Sequence, residues 1–294
     1  MDFEITHTTH YTYGQPAAEA YGEARLTPPN LPTQRVLSHE LILNPTVETS
    51  SYVDYHGNIV NFFSLPFRHK KLMITNHAVV RTETLVPSPE SMELTIQETR
   101  QIFASMLPDI FEYLQPTRVV ATSQEALQWA KKYLRGSTPV GKGIQDVIQA
   151  IHAEFVYTKG ATENSTPLSE IWKSRKGVCQ DFAHVALSIL RTAGLPARYV
   201  CGYIETDPPV RKKGAPRALV GAVATHAWVE VLVPGMRWVA IDPTNNQWCN
   251  ERYVSVSFGR DFRDATPLRG TFKGSGRQQL DVQVLMKRRN ACES

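Results

Sequence analysis

The sequence predicts an α+β protein. An N-terminal β-sandwich-like domain spans residues 1–90, and helices packed on an antiparallel sheet follow over residues 91–294, including a C-terminal β extension. Three observations predict this. Between Phe3 and Leu85, short apolar and β-branched runs are cut by turn residues, with no helical period. From Glu98 to Phe155, apolar residues recur at helical spacing. Farther on, two alternating runs flank Pro234–Gly235, a hairpin signal.

In the first region, strands are expected over Ile5–Tyr13, Val36–Leu43, Tyr52–Tyr55 and Ile59–Leu65. Pro28–Pro29–Asn30 and Pro32 break the chain, Asn44–Pro45 ends the second run, and His56–Gly57–Asn58 is a turn. Lys71–Thr84 reads as a strand pair or one long strand. Pro87 and Pro89 mark a linker. A helical pattern then covers Glu98–Leu114, with Pro108 breaking or kinking it. Thr122–Ser123 caps a helix through Leu134, closed by Gly136; Gly141–Phe155 forms another, and Pro167 starts a short one through Trp172.

Composition bounds the function. Of 294 residues, 42% are hydrophobic and 20% charged, ordinary values for a chain with a full core. A net charge of +4, with basic clusters at Arg68–Lys71, Arg211–Lys213 and Lys287–Arg289 that form no continuous face, gives no expectation of a nucleic-acid partner. Met1–Thr12 lacks a basic region followed by an apolar run, and no stretch approaches the ~18 apolar residues of a membrane span. A cytoplasmic protein with no membrane partner is therefore expected. The cysteines Cys179, Cys201, Cys249 and Cys292 form no CxxC or CxxH pair, no EF-hand-like loop is present, and no metal or cofactor is expected. His7, His10, His39, His56, His69 and His77 are scattered and read as surface or hydrogen-bonded histidines.

The chemistry concentrates between Tyr157 and Asn246. Phe182, Val185, Ala186, Ile189, Leu190 and Ala193 recur every three or four residues, and Gly194 stops the pattern. Cys179 thus lies at or near the first turn of an amphipathic helix. There, unpaired N–H groups and the helix dipole favour thiolate over thiol; with a nearby imidazolium such sites bring a cysteine from about 8.5 into the range ~3.5–7.5. A candidate base lies in the hairpin. With Val223–Val233 and Trp238–Asp242 as its strands, centred on residue 234, His226 and Asp242 come nearly opposite each other on one face. Val229, Val231, Val239 and Ile241 make the apolar face. An Asp–His hydrogen bond would fix the ring tautomer, completing the components of an activated thiol.

Three motifs carry a family resemblance. Gly177–Val178–Cys179–Gln180–Asp181–Phe182–Ala183–His184, Thr225–His226–Ala227–Trp228–Val229–Glu230–Val231 and Trp238–Val239–Ala240–Ile241–Asp242–Pro243–Thr244 resemble, in order and spacing, the nucleophile, histidine and aspartate motifs of the bacterial transglutaminase-like superfamily. The resemblance extends over most of the chain, with residues 3–85 similar to that family's N-terminal β domain. It implies a papain-like core, with Cys179 as nucleophile, His226 as base and acid, and Asp242 as orienter. Tyr157 and Gln180 are candidate oxyanion donors, and His184 packs structurally. The expected activity is an amidase or cysteine protease acting on a peptide or protein through a thioester. Acyl transfer to an amine is the alternative within enzymes, and a non-catalytic binding module the alternative outside them.

Overall fold

The computed structural model describes residues 1–206, 219–222, 224–235 and 237–289. Arg211–Lys213, Val223 and Cys292 lie outside the described residues. In chain order, six strands come first: β1 (Asp2–Ala17), β2 (Glu19–Thr27), β3 (Gln34–Asn44), β4 (Thr49–Val53), β5 (Ile59–Leu65) and β6 (His69–Thr82). Helices α1 (Pro89–Glu93), α2 (Ile96–Ala104), α3 (Leu107–Ile110), α4 (Gln124–Tyr133) and α5 (Val140–Glu154) follow. Then come β7 (Val156–Tyr157), α6 (Leu168–Ser174), β8 (Lys176–Gly177) and α7 (Cys179–Thr192). The chain closes with β9 (Ala197–Ile204), β10 (His226–Val233), β11 (Arg237–Asp242), β12 (Gln247–Trp248), β13 (Tyr253–Gly259), β14 (Leu268–Lys273) and β15 (Gln278–Arg288).

The first six strands divide between two sheets, ordered β15-β1-β6-β3 and β14-β2-β5-β4. Along β1, residues alternate inward and outward, so Phe3, Ile5, His7 and Thr9 are buried. The 71–84 run is one long strand, not a pair. The strand β2 was not expected: Glu19, Ala20, Glu23 and Ala24 have low β propensity, and tertiary packing of Ala20, Ala24 and Leu26 decides its state. The C-terminal segment also differs from the sequence division. Although everything after residue 90 was grouped with the second domain, β14 pairs with β2 and β15 with β1. Those N-terminal strands would otherwise be open sheet edges, and the returning chain covers them.

In the second part, α7 packs against a five-stranded antiparallel sheet ordered β12-β11-β10-β9-β13. The apolar period of α7 correctly marks a helix, but Ala183, Leu187 and Ser188 are buried as well. This helix is enclosed by α4, α5 and α6 on one side and the sheet on the other. Pro108 lies in α3, the short helix after the break that follows α2. No helix among the described residues is long and apolar enough to cross a membrane.

Two buried amide side chains join the β domain to the central sheet. Gln34 donates to Ser255 O at 2.8 Å and accepts from Ser255 N at 2.8 Å. Asn58 does the same with Phe258, at 2.8 and 2.7 Å. Since β13 is an edge strand, its outward N–H and C=O groups need partners when covered, and these two side chains supply them. Asn58, read from sequence as a turn residue, therefore also fixes where the β domain sits.

Candidate active site

Cys179 is the first residue of α7, preceded by the extended residue Val178. Val178 has no side-chain oxygen to cap the helix. Asp181 fills part of that role, accepting from Val178 N at 2.8 Å and from Thr162 Oγ1 at 2.7 Å. The Thr162 bond ties the loop between β7 and α6 to the helix start. Gly177 is required by this packing: a Cβ there would come within 2.6 Å of Asp181 Oδ2. Gly177 also pairs with Tyr157 in the short parallel ladder of β7 and β8. Cys179, at 9% exposure, opens on a cavity of about 310 Å³.

His226 and Asp242 are brought together, although not in the expected register. Val229 pairs with Ile241 and Val233 with Arg237, so the hairpin is centred one residue later than residue 234. Asp242 consequently lies level with Trp228, diagonal to His226. A two-residue slip preserves the face of every side chain, which is why the pairing survives the error. His226 Nε2 donates to Asp242 Oδ2 at 2.8 Å. The other ring nitrogen, Nδ1, is buried without a hydrogen bond among the described residues and faces Gly221. Burial by itself would lower the imidazole pKa, but the charges of Asp242 and Cys179 outweigh it and hold the ring at about 10.

Asp242 is wholly buried and densely bonded. Its Oδ1 accepts from Thr244 N at 2.8 Å and Asn245 N at 3.2 Å. Its Oδ2 accepts from Asn245 Nδ2 at 2.7 Å and Tyr253 Oη at 2.8 Å, besides His226. Burial would raise this carboxyl, yet His226 and these donors hold it below the usual carboxylate range. Trp228 stacks on His226 with centroids 6.2 Å apart. Asn245, Tyr253 and Trp228 were not singled out as part of the site. Asn245 could have been found as the turn residue after Asp242; Tyr253 comes from the far edge strand β13, and no spacing links it to Asp242.

The remaining candidates separate. Gln180 lines the cavity beside Cys179, and Tyr157 does not. Tyr157 is half-buried against Phe182, and burial, aided by the charges of Cys179 and Asp242, pushes its phenol up to about 12. Cys201 also lines the cavity, but burial pushes its thiol up to about 12. His184 is buried in α7, where Nε2 accepts from Phe262 N at 3.3 Å. His7, read as an ordinary hydrogen-bonded histidine, is hydrogen-bonded and also lines the cavity. No group of three or more potential metal ligands occurs among the described residues.

Comparison with known proteins agrees with this architecture. Residues 127–243 match the model of the transglutaminase-like superfamily, and residues 3–81 match the bacterial transglutaminase-like N-terminal region. An uncharacterised protein of Mycobacterium leprae is 34% identical over 97% of this chain and 98% of its own. A protein-glutamine gamma-glutamyltransferase of Pseudomonas aeruginosa is 34% identical over 32% of this chain and 14% of its own. A crystal structure from Cytophaga hutchinsonii, named as a candidate cysteine protease, superposes with a TM-score of 0.78 at 21% identity. It covers 97% of this chain and 90% of its own, and shares the fold of β domain and papain-like core. The chain therefore belongs to the bacterial transglutaminase-like superfamily, a family of cysteine-based hydrolases and transferases, and carries that family's N-terminal domain.

Proposed function

We propose that this protein is a thiol-dependent hydrolase that cleaves a peptide or isopeptide bond through a thioester on Cys179. One observation carries the reading: Cys179, which starts α7, and His226, bonded through Nε2 to the buried Asp242, line one cavity, with His226 Nδ1 left free of other hydrogen bonds. Nε2 is occupied by Asp242, so Nδ1 is the nitrogen available to exchange a proton with the thiol. The Cys179 thiolate attacks the carbonyl carbon, and the C–N bond breaks as Nδ1–H protonates the leaving amine. Water then attacks the thioester, gives its proton to Nδ1, and releases the acid and the thiol. Developing charge on the carbonyl oxygen is met by the Cys179 N–H, which has no helical acceptor at this position, and by the Gln180 amide. Tyr157 packs on Phe182 and pairs with Gly177 next to the helix start.

The P. aeruginosa relative's name favours a second reading, in which an amine replaces water as acceptor. A screen of acyl donors with and without added primary amine tests both. Mass spectrometry should find an acyl adduct on Cys179 that decays to free acid, and Cys179→Ala should form none. Decay only with amine would select the transferase. Failure of every donor to acylate a demonstrably folded enzyme would count against both readings.

A further inference from the structure

One wall of the cavity that Cys179 lines belongs to the β domain. His7, Thr9 and Tyr11 project from β1, with Val282 and Leu280 from β15 directly beside Thr9 and Tyr11. The inner face of this sheet is apolar at both ends. Tyr11, Leu72 and Ile74 pack into the sandwich core at one end, and Phe3, Ile5 and Ala78 pack against Tyr203 and Val254 at the other. Between these clusters lie three buried polar residues, His7, Thr9 and Asn76. A surface needed only for packing would carry apolar side chains there, because buried polar groups are costly unless paired.

These residues form a polarised chain. His39 Nε2 donates to Asn76 Oδ1 at 2.7 Å, and Asn76 Nδ2 donates to Tyr203 Oη at 3.4 Å. The Tyr203 hydrogen is then directed to His7 Nδ1, 2.9 Å away. This leaves the other His7 nitrogen, Nε2, as the N–H donor, and Thr9 Oγ1 accepts from it at 3.1 Å. Thr9 keeps its own hydrogen to give. Burial holds the His7 pKa down to about 4, so the ring is neutral at physiological pH and the chain keeps this sense. The described residues that line the cavity include no Asp, Glu, Lys or Arg. At the wall formed by His7, Thr9, Tyr11, Leu280 and Val282, away from the His226 ring, a charged substrate group would have no partner of opposite charge.

We propose that Thr9, held by His7 and Tyr203, is a specificity-determining residue that donates a hydrogen bond to an uncharged acyl donor, one whose carboxamide or ester group enters this cavity. The β domain thereby reads the substrate. The proposal rests on Cys179 being the nucleophile, and its test separates the two claims.

The probes are N-substituted iodoacetamides, in which the Cys179 sulfur displaces iodide. Their substituents end in a carboxamide, an isosteric isopropyl group, a carboxylate or an ammonium. Second-order labelling rates at Cys179 are measured by mass spectrometry on the full chain. In wild type, the carboxamide reagent should react fastest and each charged reagent at least about tenfold more slowly. Thr9→Val should lower the carboxamide-to-isopropyl ratio roughly fivefold, the scale of one neutral hydrogen bond. Thr9→Ser should retain the ratio. Tyr203→Phe frees His7 to adopt the opposite tautomer and accept from Thr9, so it should lower the ratio in the same direction. An unchanged ratio in Thr9→Val, or charged reagents as fast as the neutral ones, would overturn the proposal while leaving Cys179 as nucleophile. Slow labelling of wild type by every reagent, plain iodoacetamide included, would overturn the nucleophile reading and the proposal with it.

Discussion

His226 Nε2 and Asp242 Oδ2 stand 2.8 Å apart, with both side chains wholly shielded from solvent. This bond ties up one ring nitrogen and leaves Nδ1 without a hydrogen bond among the described residues, in a ring that lines the same cavity as Cys179. Replacing Asp242 with Asn keeps the shape and removes the charge that outweighs burial at the imidazole. We expect the Asp242→Asn protein to fold, and its Cys179 alkylation below pH 7 to fall by about 100-fold or more, in keeping with the loss of an orienting carboxylate. Asp242→Ala should lose about 3–5 kcal/mol of stability, because a buried partner is left uncompensated. Urea denaturation of the two variants distinguishes these effects.

Tyr253 donates to the same carboxylate oxygen at 2.8 Å and accepts from Gln247 Nε2 at 2.6 Å. Tyr253→Phe removes a hydrogen bond to a charged acceptor, a loss of about 1.5–3 kcal/mol. The expected outcome is a folded protein with a lower denaturation midpoint and thiol reactivity reduced roughly tenfold, corresponding to about 1.4 kcal/mol. A variant with wild-type reactivity would show that Asp242 needs no help from β13.

Part of this arrangement was legible in the sequence. The helical period after Cys179 placed the thiol at a helix start, and strand alternation placed His226 and Asp242 on one face even with the register misjudged. Period-two geometry forgives a two-residue slip, so the shared face of His226 and Asp242 survived where the exact pairing did not. Tyr253 was not legible, since its closeness to Asp242 arises from the order of strands in the sheet, not from local spacing. The same holds for His7 and Thr9, which reach the cavity through the docking of the β domain on the central sheet, by Gln34 and Asn58 on β13 and by the packing of Phe3 and Ile5 on Tyr203 and Val254. The alanine- and glutamate-rich β2 and the pairing of β14 and β15 were hidden for a related reason: nonlocal partners decide them.

Gly177 leaves room for Asp181 at the start of α7. Gly177→Ala would place a Cβ 2.6 Å from the Asp181 carboxylate, which is itself held by Val178 N and Thr162. Overpacking of this kind costs about 1–3 kcal/mol. The thermal midpoint should fall, and Cys179 labelling should slow as the helix start shifts. Unchanged labelling with a lowered midpoint would mean that the cap stabilises the helix without positioning the thiol.

Stability should decline at both ends of the pH range. Burial holds His184 down to about 4 in the folded protein, below the ~6.5 of an unfolded chain, so its contribution is complete above about 6.5 and is lost as pH falls toward 4. His226 has the opposite sign. Raised to about 10, it contributes fully below about 6.5, and that contribution is lost as pH rises through 10. Urea midpoints across pH 4–10 should show both limbs. His184→Gln should shrink the acid limb, to which His7, also held down to about 4, contributes the same sign, and His226→Gln should shrink the alkaline one.

The most direct test of an activated Cys179–His226 pair is the pH profile of Cys179 alkylation by iodoacetamide, in wild type and in His226→Ala. The account predicts fast labelling confined to Cys179 that persists well below pH 8 in wild type, with that low-pH reactivity absent from His226→Ala. Labelling no faster than an ordinary thiol, or the same profile in both proteins, would contradict it.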